Sequence, residues 1–233
     1  MKDAPDQSYR TLRQFLPKSL QPTLRGVRKR LFSNERPSDE PYHSVFPFTQ
    51  VHIDRQRNLV RLARSIEEQF IPGDIVECGV LDGGTAALMA STARRRIHLF
   101  DSWQGLPAAS EVEGDGAIWS GECVGSSRRV GSIMRKLSVP EDRVVFHRGW
   151  FADTFPNARI EKISLLHIDA DYYDSVKISL DTWFPRLSKG GYVQFDDYSI
   201  FVGCTRAVDE FLAANPRQEL RQDGVVFYLQ KNE

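Results

Sequence analysis

Residues 74–85, Asp-Ile-Val-Glu-Cys-Gly-Val-Leu-Asp-Gly-Gly-Thr, form a short apolar run that leads through a glycine-rich turn into a helix-forming segment. This pattern predicts a strand near Asp74–Gly79, a tight turn at Gly83 and Gly84, and a helix near Thr85–Ala93. Glycine permits a positive φ and lets the backbone approach a ligand closely. The N-terminus of the following helix favours a carboxylate or a phosphate. We therefore expect a strand–turn–helix unit that binds a nucleoside cofactor.

The alternation of short apolar runs with amphipathic segments continues to the C-terminus. Runs such as Leu-Leu-His-Ile are typical of strands that are covered on both faces. The order of elements predicts an α/β fold, with a doubly wound, mostly parallel, Rossmann-like sheet. The dipeptide Asp223-Gly224 favours an antiparallel last strand. Further strands are predicted near Ile97–Asp101, Val144–Arg148, Ser164–Asp169, Gly191–Asp196 and Val225–Gln230, and further helices near Asp54–Phe70, Ser127–Leu137, Ser175–Phe184 and Thr205–Ala214.

Length and composition restrict the class of protein. The chain has 233 residues, is 41% hydrophobic and carries 31 Lys and Arg against 31 Asp and Glu, which favours one sizeable domain and disfavours a general nucleic-acid binder. The three cysteines, Cys78, Cys123 and Cys204, are too far apart for a CxxC metal site or a disulfide framework. No run of about 18 apolar residues and no signal-peptide core occur. We expect no transmembrane segment and a cytoplasmic location.

The first 50 residues differ from the rest. Residues 1–32 contain eight Lys or Arg and two Asp, interleaved with apolar residues, which fits either a basic amphipathic element or a loosely packed extension or oligomer contact. Residues 33–49 are rich in Pro and Ser and are predicted to be a linker or lid-like loop. Pro107–Gly125 is predicted to be a long surface loop. The expected organisation is a basic, helical N-terminal extension or lid at 1–50 and a catalytic domain at 51–233.

Two acids mark the predicted cofactor site. The spacing Glu-x-Gly-x-x-x-Gly-Gly is an imperfect dinucleotide fingerprint, but Glu77, two residues before Gly79, suits the ammonium group of a cofactor such as S-adenosylmethionine. Asp101 ends the second predicted strand, where an acid can accept hydrogen bonds from ribose hydroxyls. Trp150 and Phe151 follow the third strand and can wall the adenine or the acceptor, or simply belong to the core.

A second group of acids follows the fourth and fifth predicted strands. Asp169 ends one strand and Asp196 and Asp197 end the other, and a right-handed crossover places such strands side by side. Their carboxylates should converge within a few ångströms, and they repel one another unless a hard cation binds between them. Mg²⁺ or Mn²⁺ suits such oxygen ligands better than Zn²⁺ does. The alternative is solvated acids that cap helices. Asp171 is the first candidate for a general base, and His167 is more typical of a core histidine.

Five motifs in a fixed order carry a resemblance to a known family. They are Ile-Val-Glu-Cys-Gly-Val, Leu-Phe-Asp-Ser-Trp-Gln-Gly-Leu-Pro, Gly-Trp-Phe-Ala-Asp-Thr, His-Ile-Asp-Ala-Asp-Tyr-Tyr-Asp-Ser and Gly-Gly-Tyr-Val-Gln-Phe-Asp-Asp-Tyr. Over about residues 50–215 the chain resembles the macrocin O-methyltransferase family. The resemblance implies a class I methyltransferase fold, S-adenosylmethionine and Mg²⁺ as cofactors, and methyl transfer to a hydroxyl of a sugar or glycosylated small molecule. Antibiotic and polysaccharide pathways both stay open, and a homo-oligomer is expected.

The resemblance also implies roles for individual residues. Glu77, Gly79 and Gly83 belong to the methionine and ribose side of the cofactor, and Asp101 and Ser102 to its ribose and adenine side. Asp169, Asp196 and Asp197 match the Mg²⁺ ligands, and Asp171 matches the position of a base, with Asp169 also counted as catalytic. The complete set of expected cofactor-binding residues is Glu77, Gly79, Gly83, Gly84, Thr85, Asp101, Ser102 and Trp150.

Three other functions compete with this hypothesis. Asp169-Ala-Asp171 fits the D-x-D motif of a metal-dependent glycosyltransferase, but that motif leaves Glu77 and Asp101 unexplained. A dinucleotide-dependent oxidoreductase is disfavoured by the irregular glycine spacing. A non-catalytic scaffold would not need the acids of both sites.

Overall fold

The computed structural model describes residues 36–232, together with Pro17 and Leu20. Of the predicted extension at 1–50, residues 36–50 are therefore described, whereas its basic part, residues 1–32, lies outside the described residues apart from those two positions. The strands are β1 (Asp74–Cys78), β2 (Ile97–Asp101), β3 (Val144–Arg148), β4 (Ile163–Ile168), β5 (Leu187–Phe195), β6 (Arg221–Asp223) and β7 (Val226–Gln230). The α-helices are α1 (Tyr42–Val45), α2 (Ile53–Glu68), α3 (Gly84–Thr92), α4 (Ser127–Lys136), α5 (Phe151–Thr154), α6 (Tyr173–Trp183) and α7 (Val202–Ala214).

All seven strands belong to one sheet in the order β3-β2-β1-β4-β5-β7-β6. The first five are mutually parallel, and β7 pairs antiparallel with both β5 and β6. The predicted doubly wound sheet and its antiparallel last strand are confirmed. Strand β6 was not predicted, because its three residues, Arg-Gln-Asp, are exposed and carry no apolar signal.

Helices cover both faces of the sheet because successive strand residues point to opposite sides. Ile75 belongs to a core formed with α2, α3 and α4, whereas Val76 belongs to a second core formed with α6 and α7. On the first face a buried polar row interrupts the apolar side chains, with Glu77, His167 and Gln194 side by side in the strand register. Helix α2 reaches this row, since Asn58 Nδ2 donates to Gln194 Oε1 at 2.7 Å.

Three local predictions are corrected. Residues 42–48 are not a linker: they form α1 and the 3-10 helix Phe46–Phe48, and Tyr42, Val45 and Phe48 pack in the first core. Helix α2 ends at Glu68, before Phe70, whose side chain is 86% exposed rather than part of the apolar face. The predicted loop at 107–125 contains a 3-10 stretch, Glu111–Trp119, kinked at Gly114. Within the described residues, no helix combines the length and hydropathy that crossing a membrane requires.

Candidate functional site

The carboxyl ends of β1 and β4 meet at Gly79. Its φ is +87°, and a β-carbon there would lie 1.9 Å from the backbone oxygen of Asp169. The amide of Asp169 donates to the Cys78 carbonyl at 2.9 Å, which fixes the two strand ends against each other. Only glycine fits this approach, so the first predicted glycine is required by the backbone itself.

The two adjacent glycines of the turn, Gly83 and Gly84, are required for packing. Gly83 has a φ of +85°, and its missing β-carbon leaves room for Val130 of α4. A β-carbon on Gly84 would lie 2.7 Å from Thr49. Neither glycine lines the cavity described below, nor does the buried Thr85. Their contribution to cofactor binding stays a prediction.

Asp101 fastens the turn after β1 to the end of β2. Its Oδ2 accepts hydrogen bonds from the amides of Val80 at 2.8 Å and Leu81 at 2.9 Å, and its Oδ1 accepts from the amide of Trp103 at 2.6 Å. Burial raises the pKa of the Asp101 carboxyl, while these three donors act in the opposite direction. Asp101 lines the cavity together with Ser102, and the contact of these two residues with the cofactor stays a prediction.

Glu77 lies behind the cavity rather than in it. Its side chain is fully buried, and its Oε1 shares a 2.8 Å hydrogen bond with His167 Nδ1. Among the described residues, Glu77 Oε2 and His167 Nε2 have no hydrogen-bond partner. His167 is thus a core histidine, as predicted. Contact between Glu77 and the cofactor's ammonium group stays a prediction, and the structure gives this carboxylate a different neighbour.

The predicted convergence of the three strand-end acids is confirmed. One carboxylate oxygen each from Asp169, Asp196 and Asp197 lies within 4.8 Å of the other two. Asp196 and Asp197 are fully buried, and Asp169 is partly exposed where it lines the cavity. Ionised carboxylates this close repel one another, and burial adds a desolvation cost. An all-oxygen cluster of this kind fits a hard divalent cation such as Mg²⁺.

Asp171 lies beside this cluster on the turn between β4 and α6. Its φ is +55°, a conformation that costs a non-glycine residue energy and persists where the surroundings impose it. Here the backbone amide of Asp171 donates to Asp197 Oδ2 at 3.0 Å. Asp171 is 5% exposed and lines the cavity. The turn therefore places a fourth carboxylate at the cavity wall, beside the acid cluster formed by Asp169, Asp196 and Asp197.

The cavity has a volume of about 340 Å³ and combines negative charge with apolar walls. None of the described residues that line it is Lys, Arg or His. Such a site complements a ligand with a positive charge and repels an anionic diphosphate. Trp150, 38% exposed, is one of its aromatic walls. The acids are Asp101, Glu113, Asp169, Asp171 and Asp174, and the apolar residues include Leu106, Pro107, Ala108, Trp150, Phe151 and Ile178.

Two residues near the site were not found from the sequence. Glu113 is 2% exposed in the 107–125 segment, and its Oε1 accepts a hydrogen bond from the amide of Tyr173 at 2.9 Å. Arg55 Nη1 lies 3.5 Å from Asp196 Oδ2. A signal for Arg55 existed, because it falls on the same helical stripe as Leu59, Leu62 and Ile66. Glu113 has no comparable periodic signal.

The sheet order, the antiparallel β7 and the cavity at the carboxyl ends of β1, β2 and β4 define a class I methyltransferase. A model of the family described as macrocin-O-methyltransferase (TylF) matches residues 2–227. The chain belongs to this macrocin O-methyltransferase family, and it is an S-adenosylmethionine-dependent O-methyltransferase. The match is wider than the resemblance over residues 50–215 and includes the N-terminal segment.

Individual relatives agree with this assignment. Demethyldecarbamoylnovobiocin O-methyltransferase from Streptomyces niveus is 33% identical over 182 residues, which cover 71% of this chain and 68% of the relative. Mycinamicin III 3''-O-methyltransferase from Micromonospora griseorubida is 32% identical over 190 residues, covering 76% and 74%. The structure of the O-methyltransferase NovP superposes with a TM-score of 0.75 at 28% identity, covering 93% of this chain and 100% of NovP. The glycosyltransferase and oxidoreductase alternatives are therefore set aside.

Proposed function

We propose that this enzyme transfers a methyl group from S-adenosylmethionine to a hydroxyl of a sugar carried by a small natural product, and that the reaction requires Mg²⁺. The observation that carries the proposal is the convergence of Asp169, Asp196 and Asp197, because Asp169 of this cluster lines the cavity together with Asp171. Mn²⁺ can replace Mg²⁺ at oxygen ligands of this type.

The acid cluster suits the ion for two reasons. Its three carboxylates supply oxygen ligands only, and partly exposed Asp169 leaves one side of the cluster open toward the cavity. When bound, Mg²⁺ lowers the pKa of a coordinated hydroxyl and orients its oxygen. Asp169, Asp196 and Asp197 would hold the ion, and the hydrogen bond from the Asp171 amide fixes the orientation of Asp197.

Asp171 is the proposed general base. A sugar hydroxyl is a weak nucleophile until its proton is removed, and a positioned carboxylate can accept that proton as the methyl group transfers. The strained turn holds Asp171 close to Asp197 and at the cavity wall. Alignment of the acceptor oxygen, the methyl carbon and the sulfur then contributes by proximity.

The donor and the acceptor divide the cavity by chemistry. The sulfonium and ammonium groups of S-adenosylmethionine are positively charged and suit the acidic lining of the cavity. Leu106, Pro107 and Phe151 offer apolar surface for the non-sugar part of a glycoside. The curated relatives, named for novobiocin- and mycinamicin-type substrates, support an acceptor of this type.

Calorimetry separates the parts of this proposal. S-adenosylhomocysteine is titrated into the protein, then Mg²⁺ into the saturated complex, and EDTA is added to reverse the second step. Methyl transfer from labelled S-adenosylmethionine is followed with glycosylated aglycones and with nucleotide sugars as acceptors. We expect both ligands to bind, activity to depend on Mg²⁺, and glycosides to be the acceptors. Full activity in EDTA would overturn the metal requirement, and methylation of nucleotide sugars alone would overturn the acceptor class.

A further inference from the structure

Arg55 is a buried cation beside the acid cluster. It lies in the first turn of α2, its side chain is 7% exposed, and its Nη1 is 3.5 Å from Oδ2 of the fully buried Asp196. An arginine stays protonated at any pH at which a protein is folded. The acid cluster therefore has a permanent positive charge beside it, and this charge comes from α2 rather than from the strands that carry the acids.

Other contacts hold this guanidinium in place. Arg55 Nε donates to the Val225 carbonyl at 2.8 Å, and the Arg55 carbonyl accepts from Gln194 Nε2 at 3.2 Å. Gln194 lies near the end of β5, two residues before Asp196, which directly follows the strand. Arg55 and Asp196 are thus fixed relative to each other through both backbone and side-chain contacts.

The neighbouring arginine of α2 is in a different environment. Arg57 is 52% exposed, and its ion pair at 3.4 Å is with the exposed Asp39. A surface pair of this kind contributes little to stability. Arg57 is consequently a matched control, on the same helix and with the same side chain, but without contact to the acid cluster.

We propose that Arg55 is a positioning residue that serves as a fixed counter-charge of Asp196 and lowers the affinity of the site for Mg²⁺. This inference rests on the proposed metal-dependent function. Before the ion binds, the guanidinium offsets the repulsion among the three carboxylates and keeps Asp196 oriented. After it binds, the guanidinium and Mg²⁺ are like charges on the same carboxylate, and in a buried site they repel strongly. The occupancy of the site then depends on the Mg²⁺ concentration.

The test is a calorimetric Mg²⁺ titration of the S-adenosylhomocysteine complex of three variants. Arg55→Met keeps an unbranched side chain without the charge, Arg55→Lys keeps the charge, and Arg57→Met is the control. We expect Arg55→Met to bind Mg²⁺ about tenfold more tightly than the wild type. Arg55→Lys should stay near the wild-type affinity, and Arg57→Met should be unchanged.

The outcomes separate this inference from the proposed function. A wild-type protein that gives no Mg²⁺ binding overturns the metal-dependent function itself. A wild type that binds Mg²⁺, with a folded Arg55→Met variant of equal or weaker affinity, overturns only the role of Arg55. Arg55→Gln is a second neutral variant that keeps a donor for the Val225 carbonyl, and its affinity decides the question if Arg55→Met does not fold.

Discussion

The backbone oxygen of Asp169 occupies the place where a β-carbon of residue 79 would stand, 1.9 Å from that position. Gly79 lines the cavity at the start of the turn after β1, and Asp169 belongs to the acid cluster. The two halves of the site are therefore in van der Waals contact through the backbone. A change on one side must displace the other, because neither strand end has room to move independently.

Replacing Gly79 by alanine should damage both halves at once. The new methyl group collides with Asp169, and a φ of +87° is strained for alanine. We expect the Gly79→Ala variant to lose at least about 100-fold in methyl transfer, with weaker binding of both S-adenosylhomocysteine and Mg²⁺ in calorimetry. Gly224→Ala is the control, since Gly224 also has a positive φ, +57°, but no atom of the described residues lies within 4 Å of the added carbon. Normal binding of both ligands by Gly79→Ala would contradict this coupling.

The proposed roles of Asp196 as a metal ligand and of Asp171 as the general base should be distinguishable by mutation. Asp196→Asn removes a proposed ligand, so Mg²⁺ binding and turnover should be lost while S-adenosylhomocysteine binding persists. Asp171→Asn removes the proposed base but keeps the backbone amide that donates to Asp197, so both ligands should bind and kcat should fall by about 10²–10⁴. Titrations and single-turnover rates distinguish the two. Equal loss of Mg²⁺ binding in both variants would assign Asp171 to the metal site instead.

Glu113 should hold the segment 107–125 against α6 and α7. Its Oε1 accepts hydrogen bonds from the Tyr173 amide at 2.9 Å and from Ser110 Oγ at 3.4 Å, and burial raises the pKa of its carboxyl. Its Oε2 lies against Gly203 of α7, where a β-carbon would be 2.1 Å away. Glu113→Ala should raise the acceptor KM, speed proteolysis of the segment and cost about 1 kcal/mol of stability.

The control for Glu113→Ala is Glu111→Ala, because Glu111 is exposed in the same 3-10 stretch. Binding of S-adenosylhomocysteine should be unchanged in both variants. Glu113→Gln should recover most of the acceptor KM, since an amide oxygen can also accept from the Tyr173 amide. Identical proteolysis of the Glu113→Ala and wild-type proteins would show that the carboxylate does not fasten the segment.

The sequence predicts where the strands end better than it predicts which side chains and segments surround those ends. Apolar runs locate β1 to β5, and the crossover rule then brings Asp169, Asp196 and Asp197 together. Spacing does not tell whether an acid at a strand end faces a ligand or the core, and for this reason Glu77 was expected in the cavity although its oxygen contacts His167. Glu113 lies in an irregular segment whose position depends on tertiary contacts with α6 and α7.

Two hydrogen-bonded histidines, His98 of β2 and His147 of β3, should make the free energy of unfolding depend on pH. His98 Nδ1 is 3.0 Å from His147 Nε2, and His98 Nε2 is 3.1 Å from Asp74 Oδ2. Burial, together with the nearby His98, lowers the pKa of His147 from its ordinary value to about 4. The unfolded chain, with an ordinary histidine pKa, binds the proton first as the pH falls. The stability contributed by neutral His147 is therefore complete above pH 6.5 and is lost between pH 6.5 and about 4.

The measurement is urea unfolding of the wild type and of His147→Gln at pH 7.5 and at pH 5. Because His147 is only half-buried, we expect a difference of about 1 kcal/mol in the acid-induced loss of stability, rather than the full value of its pKa shift. Glutamine keeps a group that can hydrogen-bond to His98 and cannot titrate, so the variant should lose less stability than the wild type on going to pH 5. An equal or larger loss in the variant would place the acid sensitivity in groups other than His147.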